Sequence, residues 1–208
     1  MTRIAFLDLE TTGLPERKFG QMYEYKQIEK YETCRVVQIA LIVAEYDGAE
    51  IILNARSTDV ARNFIIKPAG FAVKGTEIHD ITHERAMAEG VPIETAAAQI
   101  KADLRGVALL VAHNIEFDKN VLLSELFRIG DAAAVTMIDR MPTFCTMART
   151  TDLVQIRSIY GNFKWPRLTE LYYFLFREHV VGAHNAKNDV AAVARCFAEL
   201  LRRGLIVI

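Results

Sequence analysis

The segment Ile4-Ala5-Phe6-Leu7-Asp8-Leu9-Glu10-Thr11-Thr12-Gly13 constrains this chain more than any other. Its apolar run from Ile4 to Leu7 suits a strand covered on both faces. Side chains alternate along a strand, so Asp8 and Glu10 project to the same side at its end. Two like charges there are costly unless something positive lies between them. A divalent cation is the simplest solution, and hard carboxylate oxygens suit Mg²⁺ or Mn²⁺. Two acids alone fit a strand that merely ends in a polar turn at least as well. The rest of the chain decides between the two.

The length suits one domain with a full core, here residues 1–208. A net charge of -1 gives no global bias toward nucleic acid, although a local basic rim can still serve a groove. Cys34, Cys145 and Cys196 are scattered, without metal-ligand spacing, and read as reduced packing residues of an intracellular protein. Met1-Thr2-Arg3 runs straight into the strand without a signal peptide, and no apolar stretch is long enough to cross a membrane. The expected location is cytoplasmic.

After Gly13 the polar stretch 14–34, rich in Lys, Glu and Tyr, interrupts the fold as an insertion. Strands are predicted over 35–44, 50–54 after an Asp47-Gly48 turn, 63–67, 107–112 and 143–146. Helical spacing covers 93–104, 115–129, the stripe of Leu168, Leu171, Tyr172, Leu175 and Phe176, and 185–203. A strand meander followed by alternating helices and strands predicts an α/β protein, a mixed sheet with helices on its faces.

Asp118 lines up with Ile115, Leu122, Leu126 and Ile129 on an apolar helical stripe, where an unpaired carboxylate is expensive. An acid in a first helical turn is ordinary. Asp118, however, follows His113-Asn114 directly after a buried strand, and strand ends are where α/β sheets hold ligands. Asp189 repeats the pattern, five residues after His184, with Asn185 as candidate N-cap.

Four acids and a histidine at three element ends resemble the motifs of the DEDDh 3′→5′ exonucleases. That family has a ribonuclease-H-like fold and includes the proofreading subunit of bacterial replicative DNA polymerase. The motifs are Asp8-Leu9-Glu10-Thr11-Thr12-Gly13-Leu14, His113-Asn114-Ile115-Glu116-Phe117-Asp118 and His184-Asn185-Ala186-Lys187-Asn188-Asp189-Val190, in the family's order. Ile78-His79-Asp80-Ile81-Thr82 resembles its short His-Gly-Ile-Thr stretch, with Asp80 in the glycine's place. A sister group has tyrosine where Asn185 stands, so His184 assigns the histidine subtype. The resemblance implies a mixed five-stranded sheet with helices on both faces. It implies two Mg²⁺ (or Mn²⁺) ions held by Asp8, Glu10, Asp118 and Asp189, with His184 accepting the proton of the attacking water. The implied substrate is a single-stranded DNA or RNA 3′ end, and the implied partner a DNA polymerase.

Thr11 and Thr12 are candidate contacts to the terminal nucleotide, and His79 and Asn114 to sugar or phosphate. Leu14 and Phe117 fit a wedge or stacking role as well as ordinary core packing. His113 is placed to cap the next helix. In the 14–34 stretch, Lys18, Lys26 and Lys30 are expected to meet phosphates and Tyr23, Tyr25 and Tyr31 to stack on bases, as a mobile flap. An exonuclease acting on DNA, an exoribonuclease or oligoribonuclease, and a silent binding module remain open, although a binding module has no need of all five residues.

Overall fold

The first strand runs the length of the sheet and divides its side chains cleanly between two cores. The computed structural model describes residues 1–52 and 62–208. Its strands are β1 (Thr2–Thr11), a two-residue-per-strand hairpin β2 (Arg17–Lys18) and β3 (Gln21–Met22), β4 (Val36–Tyr46), β5 (Ile51–Ile52), β6 (Arg62–Ile65), β7 (Val107–Ala112) and β8 (Thr143–Cys145). The helices are α1 (Thr76–His79), α2 (His83–Glu89), α3 (Ile93–Asp103), α4 (Ile115–Arg128), α5 (Ala132–Asp139), α6 (Thr146–Arg149), α7 (Thr151–Val154), α8 (Leu168–Phe176) and α9 (Ala186–Arg202).

The main sheet runs β5-β4-β1-β7-β8, with β6 also paired to β4. β5 pairs with Glu45 and Tyr46, and β6 with Gln38 to Leu41, at two ends of one β4 edge. The sheet is therefore five positions wide, as expected, but one position holds two segments. β1 is antiparallel to β4 and parallel to β7, which makes the sheet mixed. The predicted 50–54 strand is seen as Ile51–Ile52; residues 53 and 54 lie outside the described residues. The Asp47 carboxylate accepts from the Ala49 and Glu50 amides, which closes the predicted turn. The predicted helices agree with α3, α4, α8 and α9 to within a residue or two at each end, whereas α1, α2, α5, α6 and α7 went unpredicted. In α5 the run Ala132-Ala133-Ala134 sits behind an Asp131 cap, whose side chain accepts from Ala134 N.

Ile4 and Phe6 pack with Ala40, Ile42 and Ala44 against Val190, Val193 and Phe197 of α9. Phe197 meets Phe6 and Phe144 edge-on, at 5.5 and 5.1 Å between centroids. Such pairs add about 0.5–1.5 kcal/mol each beyond burial. Ala5, Leu7 and Leu9 face the other way, onto α3, α4 and α5. Asp8 and Glu10 continue the α9 side of that alternation past the end of the core.

The 14–34 stretch is anchored to the domain by Tyr25, Tyr31 and Cys34, which corrects the expected mobile flap, while its hairpin tip at Phe19 stands exposed. Tyr31 is fully buried and its hydroxyl donates to Tyr23 O at 2.6 Å. Tyr25 packs against Phe127 and sits in the core beside α4. Those two rings cannot stack on bases, because their removal from water holds the segment to the domain. Lys30 pairs with Glu16 and Lys26 with Glu24. The neck of the excursion is tight: a Cβ on Gly13 would lie 2.9 Å from Thr33 O. Among the described residues no helix is long and apolar enough to cross a membrane. All three cysteines are free.

Candidate active site

β7 pairs with β1 only as far as Phe6 and Val111. Beyond that point the Leu9 amide has lost its strand neighbour, and Asp118 Oδ1 accepts from it at 3.2 Å. The chain turns from β7 into α4 through Asn114, in the left-handed region (φ 86°) that asparagine tolerates. This short turn puts Asp118 in the first turn of α4 and buries it, 3 % exposed, against the end of β1.

α9 approaches from the opposite face. Its N-terminal Ala186 amide donates to Gln38 Oε1 at 3.1 Å, and Gln38 lies opposite Glu10 in the β1–β4 register. The Asn185 side chain caps Lys187 N, as the sequence suggested. Just before it, His184 adopts φ 66°, and its amide donates to Asp189 Oδ2 at 2.9 Å. Gly182 admits this fold-back, since a Cβ there would meet Asn188 Nδ2 at 2.5 Å.

The result is a set of carboxylates from three elements. One oxygen each of Asp8, Glu10 and Asp189 lies within 4.8 Å of the others. Burial first, then the charges of Asp118, Asp189 and Glu10, pushes Asp8 well above the usual carboxylate range. Burial, then Asp189, pushes Glu10 up to about 7. Burial raises Asp118 despite the Leu9 amide, and raises Asp189 despite its bonds to His184. Among the described residues no Lys or Arg relieves these charges. An all-oxygen, uncompensated set of this kind fits hard divalent cations.

Acids at the ends of β1, α4 and α9 thus converge on one strand end, and a model of the exonuclease family RNase_T matches residues 5–197. The chain belongs to that exonuclease family. None of the curated proteins matches it by sequence. The fold is shared with solved exonuclease I structures. The Escherichia coli enzyme with a dT13 oligonucleotide has a TM-score of 0.68 at 21% identity, over 97% of this chain and 41% of that one. A moderately thermophilic exonuclease I from Methylocaldum szegediense has a TM-score of 0.70 at 19% identity, over 98% and 41%. A product-bound exonuclease I has a TM-score of 0.64 at 19% identity, over 98% and 46%. The chain spans less than half the length of these structures. The acid cluster of this exonuclease-family chain is thus suited to a divalent metal.

The other expected contacts divide. Leu14 stands 70% exposed at the rim, whereas Phe117 packs partly into the core. Thr12 closes the neck: its amide donates to Arg35 O, and its hydroxyl donates to Thr33 O and accepts from Arg35 N. The Thr11 hydroxyl donates to Gly13 O at 2.7 Å. His79 is buried, with Nε2 donating to Lys74 O and Nδ1 accepting from Ile81 N. The expected sugar or phosphate contact therefore finds no free ring nitrogen on His79. Its loop instead reaches the site through Gly75, whose Cβ position is 3.6 Å from Thr11 O.

Two supporting residues, Gln38 and Glu125, escaped the sequence reading, and His113, expected to cap the next helix, instead braces the strand end. Gln38 anchors α9 and also donates to Asn63 Oδ1. Glu125 makes a two-pronged bond to Arg35, at 2.7 and 3.1 Å, and accepts from Val36 N. His113 joins β7 to Thr146 and to Pro166 O, at 3.0 and 2.9 Å, and burial holds it neutral, down to about 4. The available signal was one polar residue inside an otherwise apolar strand or helix face, as at Gln38 and Glu125.

Proposed function

We propose that this chain is a metal-dependent 3′→5′ exonuclease that releases 5′-mononucleotides from single-stranded DNA. One observation carries the reading: Asp8, Glu10 and Asp189 bring carboxylate oxygens within 4.8 Å of one another beside buried Asp118, with His184 bonded to Asp189. Asp8, Glu10 and Asp189 would hold one Mg²⁺ or Mn²⁺, and Asp8 with Asp118 a second. Bound there, a divalent pair makes water acidic and screens the charge of the phosphodiester and its leaving oxygen.

The chain's own groups supply the rest. His184 stands exposed at the open side of Asp189, where its imidazole accepts the proton of the attacking water. The backbone bond from the His184 amide to Asp189 ties the approach of the last helix to its acid. Leu14 is positioned as a wedge against the terminal base, and Asn114 lies at the turn leading to Asp118. The polarity of the reaction and the DNA preference are carried over from the family and from the oligonucleotide complex of its fold relative. A polymerase partner is the finer reading of the cellular context, and co-purification with a polymerase from native extract tests it.

Matched single-stranded DNA and RNA, labelled at the 5′ end, decide the main reading. The expected result is a ladder shortened from the 3′ end, faster on DNA and abolished by excess EDTA. Full activity in EDTA, or early release of the 5′ label, overturns it. Faster RNA cleavage moves the assignment to an exoribonuclease, because the 2′-hydroxyl is the group that separates the substrates.

A further inference from the structure

Between α7 and α8 the chain forms a small arm that nothing in the active site accounts for. Arg157 bridges Phe163 in antiparallel fashion. Ser158 N donates to Asn162 O and Lys164 N to Ile156 O, both at 2.8 Å. The turn closes through Gly161 (φ 87°), and Tyr160 N donates to Ser158 Oγ. The arm is thus shaped by its own hydrogen bonds, yet it carries its apolar groups outward. Ile159 is 92% exposed, Tyr160 87% and Trp165 61%. Single exposed apolar residues are ordinary, but a run of them on a preformed loop marks an interaction surface.

The arm's foot is tied into the catalytic end of the sheet. Pro166 O accepts from His113 Nε2 at 2.9 Å, and His113 adjoins Asn114, which starts α4 and places Asp118. Lys164 pairs with Glu170 and Arg167 N donates to the same carboxylate, so the foot cannot swing freely. Arg157 and Arg167 are exposed cations on either side of the aromatic tip. Aromatic planes interleaved with cations, beside a site built to cleave phosphodiesters, match one occupant in both charge and shape. Bases stack on the rings irrespective of sequence, and the arginines meet the backbone.

We propose that the arm 157–167 is a second substrate-binding element, on which bases upstream of the scissile nucleotide stack against Tyr160 and Trp165. This rests on the nuclease reading above and adds an extended subsite to it. The exonuclease should then favour chains long enough to reach the arm over very short ones.

Trp165 is the only tryptophan in the chain, so its fluorescence reports the contact directly. In excess EDTA, which halts cleavage, an oligodeoxynucleotide of roughly 12 nucleotides, within the range of single-strand site sizes, should quench that emission, and a trinucleotide should not. In Mg²⁺, Tyr160→Ala with Trp165→Ala should raise KM for the long substrate at least about fivefold, the low end for one base–aromatic stack. The ratio of long to short KM should collapse accordingly, and Trp165→Phe should restore it. Circular dichroism checks that the variants fold; quenching of the unmutated protein tests the idea without them. No quenching by the long oligonucleotide, or an unchanged KM ratio in a folded variant, overturns the arm and leaves the nuclease reading intact. Quenching by anionic phospholipid vesicles or by a protein fraction, but not by oligonucleotide, also overturns it. Absence of any cleavage instead removes the nuclease reading beneath it.

Discussion

The two helices that deliver the distal acids are held by different forces. α4 brings Asp118 in buried, fixed to the Leu9 amide, and is braced two turns later by the Glu125–Arg35 ion pair. α9 brings Asp189 to the opposite face with solvent access, capped by Asn185 and anchored by the neutral amide of Gln38. The lesson is that one acid cluster can be assembled from a stiff, costly support and a softer, cheaper one. The buried support sets an acid that cannot move. The softer one sets the acid bonded to the His184 amide.

The largest expected effect is on Asp118. Asp118→Asn should lower kcat by more than the ~10²–10⁴-fold that one general base contributes, since on the proposed function it removes a metal ligand together with its charge. An asparagine oxygen can still accept from Leu9 N. The metal-free variant should therefore melt higher than wild type, by about 2–4 °C for each kcal/mol of repulsion relieved. Asp189→Asn should also abolish cleavage but raise the melting temperature less, because Asp189 is partly compensated by His184. Equal shifts would erase the contrast between the helices.

His184→Ala comes next, with kcat lower by about 10²–10⁴-fold, while metal-induced stabilisation survives. Loss of that stabilisation would make His184 a ligand or a structural residue. The supports follow in order. Glu125→Ala leaves Arg35 buried without its partner and should cost about 3–5 kcal/mol in urea unfolding. Gln38→Leu leaves only the Ala186 amide and the Asn63 side chain unpaired and should cost about 1–3 kcal/mol. If Gln38→Leu proves the more damaging, the softer support has been misidentified.

The smallest effect is a pH dependence. Glu10 titrates at about 7 in the folded protein and near 4.5 unfolded, so the metal-free native state holds the extra proton between those values. Its stability from this group is therefore present at low pH and lost as pH rises through that window. Metal binding to the ionised acids reverses the loss, so the metal-induced rise in melting temperature should grow from about pH 5 to about pH 8. His113 works in the other direction, losing stability as pH falls from 6.5 toward about 4, and does so with or without metal. The difference between metal-loaded and metal-free melting curves isolates the acids. A shift that stays flat across the range would remove Glu10 from the site.

Periodicity made the acidic strand, the helix carrying Asp118 and the final helix with its Asn185 cap legible in the sequence. Alternation along β1 determines that Asp8 and Glu10 share a side, and a four-residue helical offset determines that Asp118 and Leu122 share a stripe. Those are local geometries set by the backbone alone. The tertiary structure decided what local geometry cannot. Tyr25 and Tyr31 read as candidate base platforms, but packing against α4 took them from solvent. Tyr160 and Trp165, in a stretch without periodicity, were left outside because no core reached them. Gln38 looked like one polar residue in an apolar strand until α9 brought the Ala186 amide to it. Hydrogen bonds and burial between residues distant in the chain depend on which surfaces meet, and that is settled only when the sheet and its helices close together.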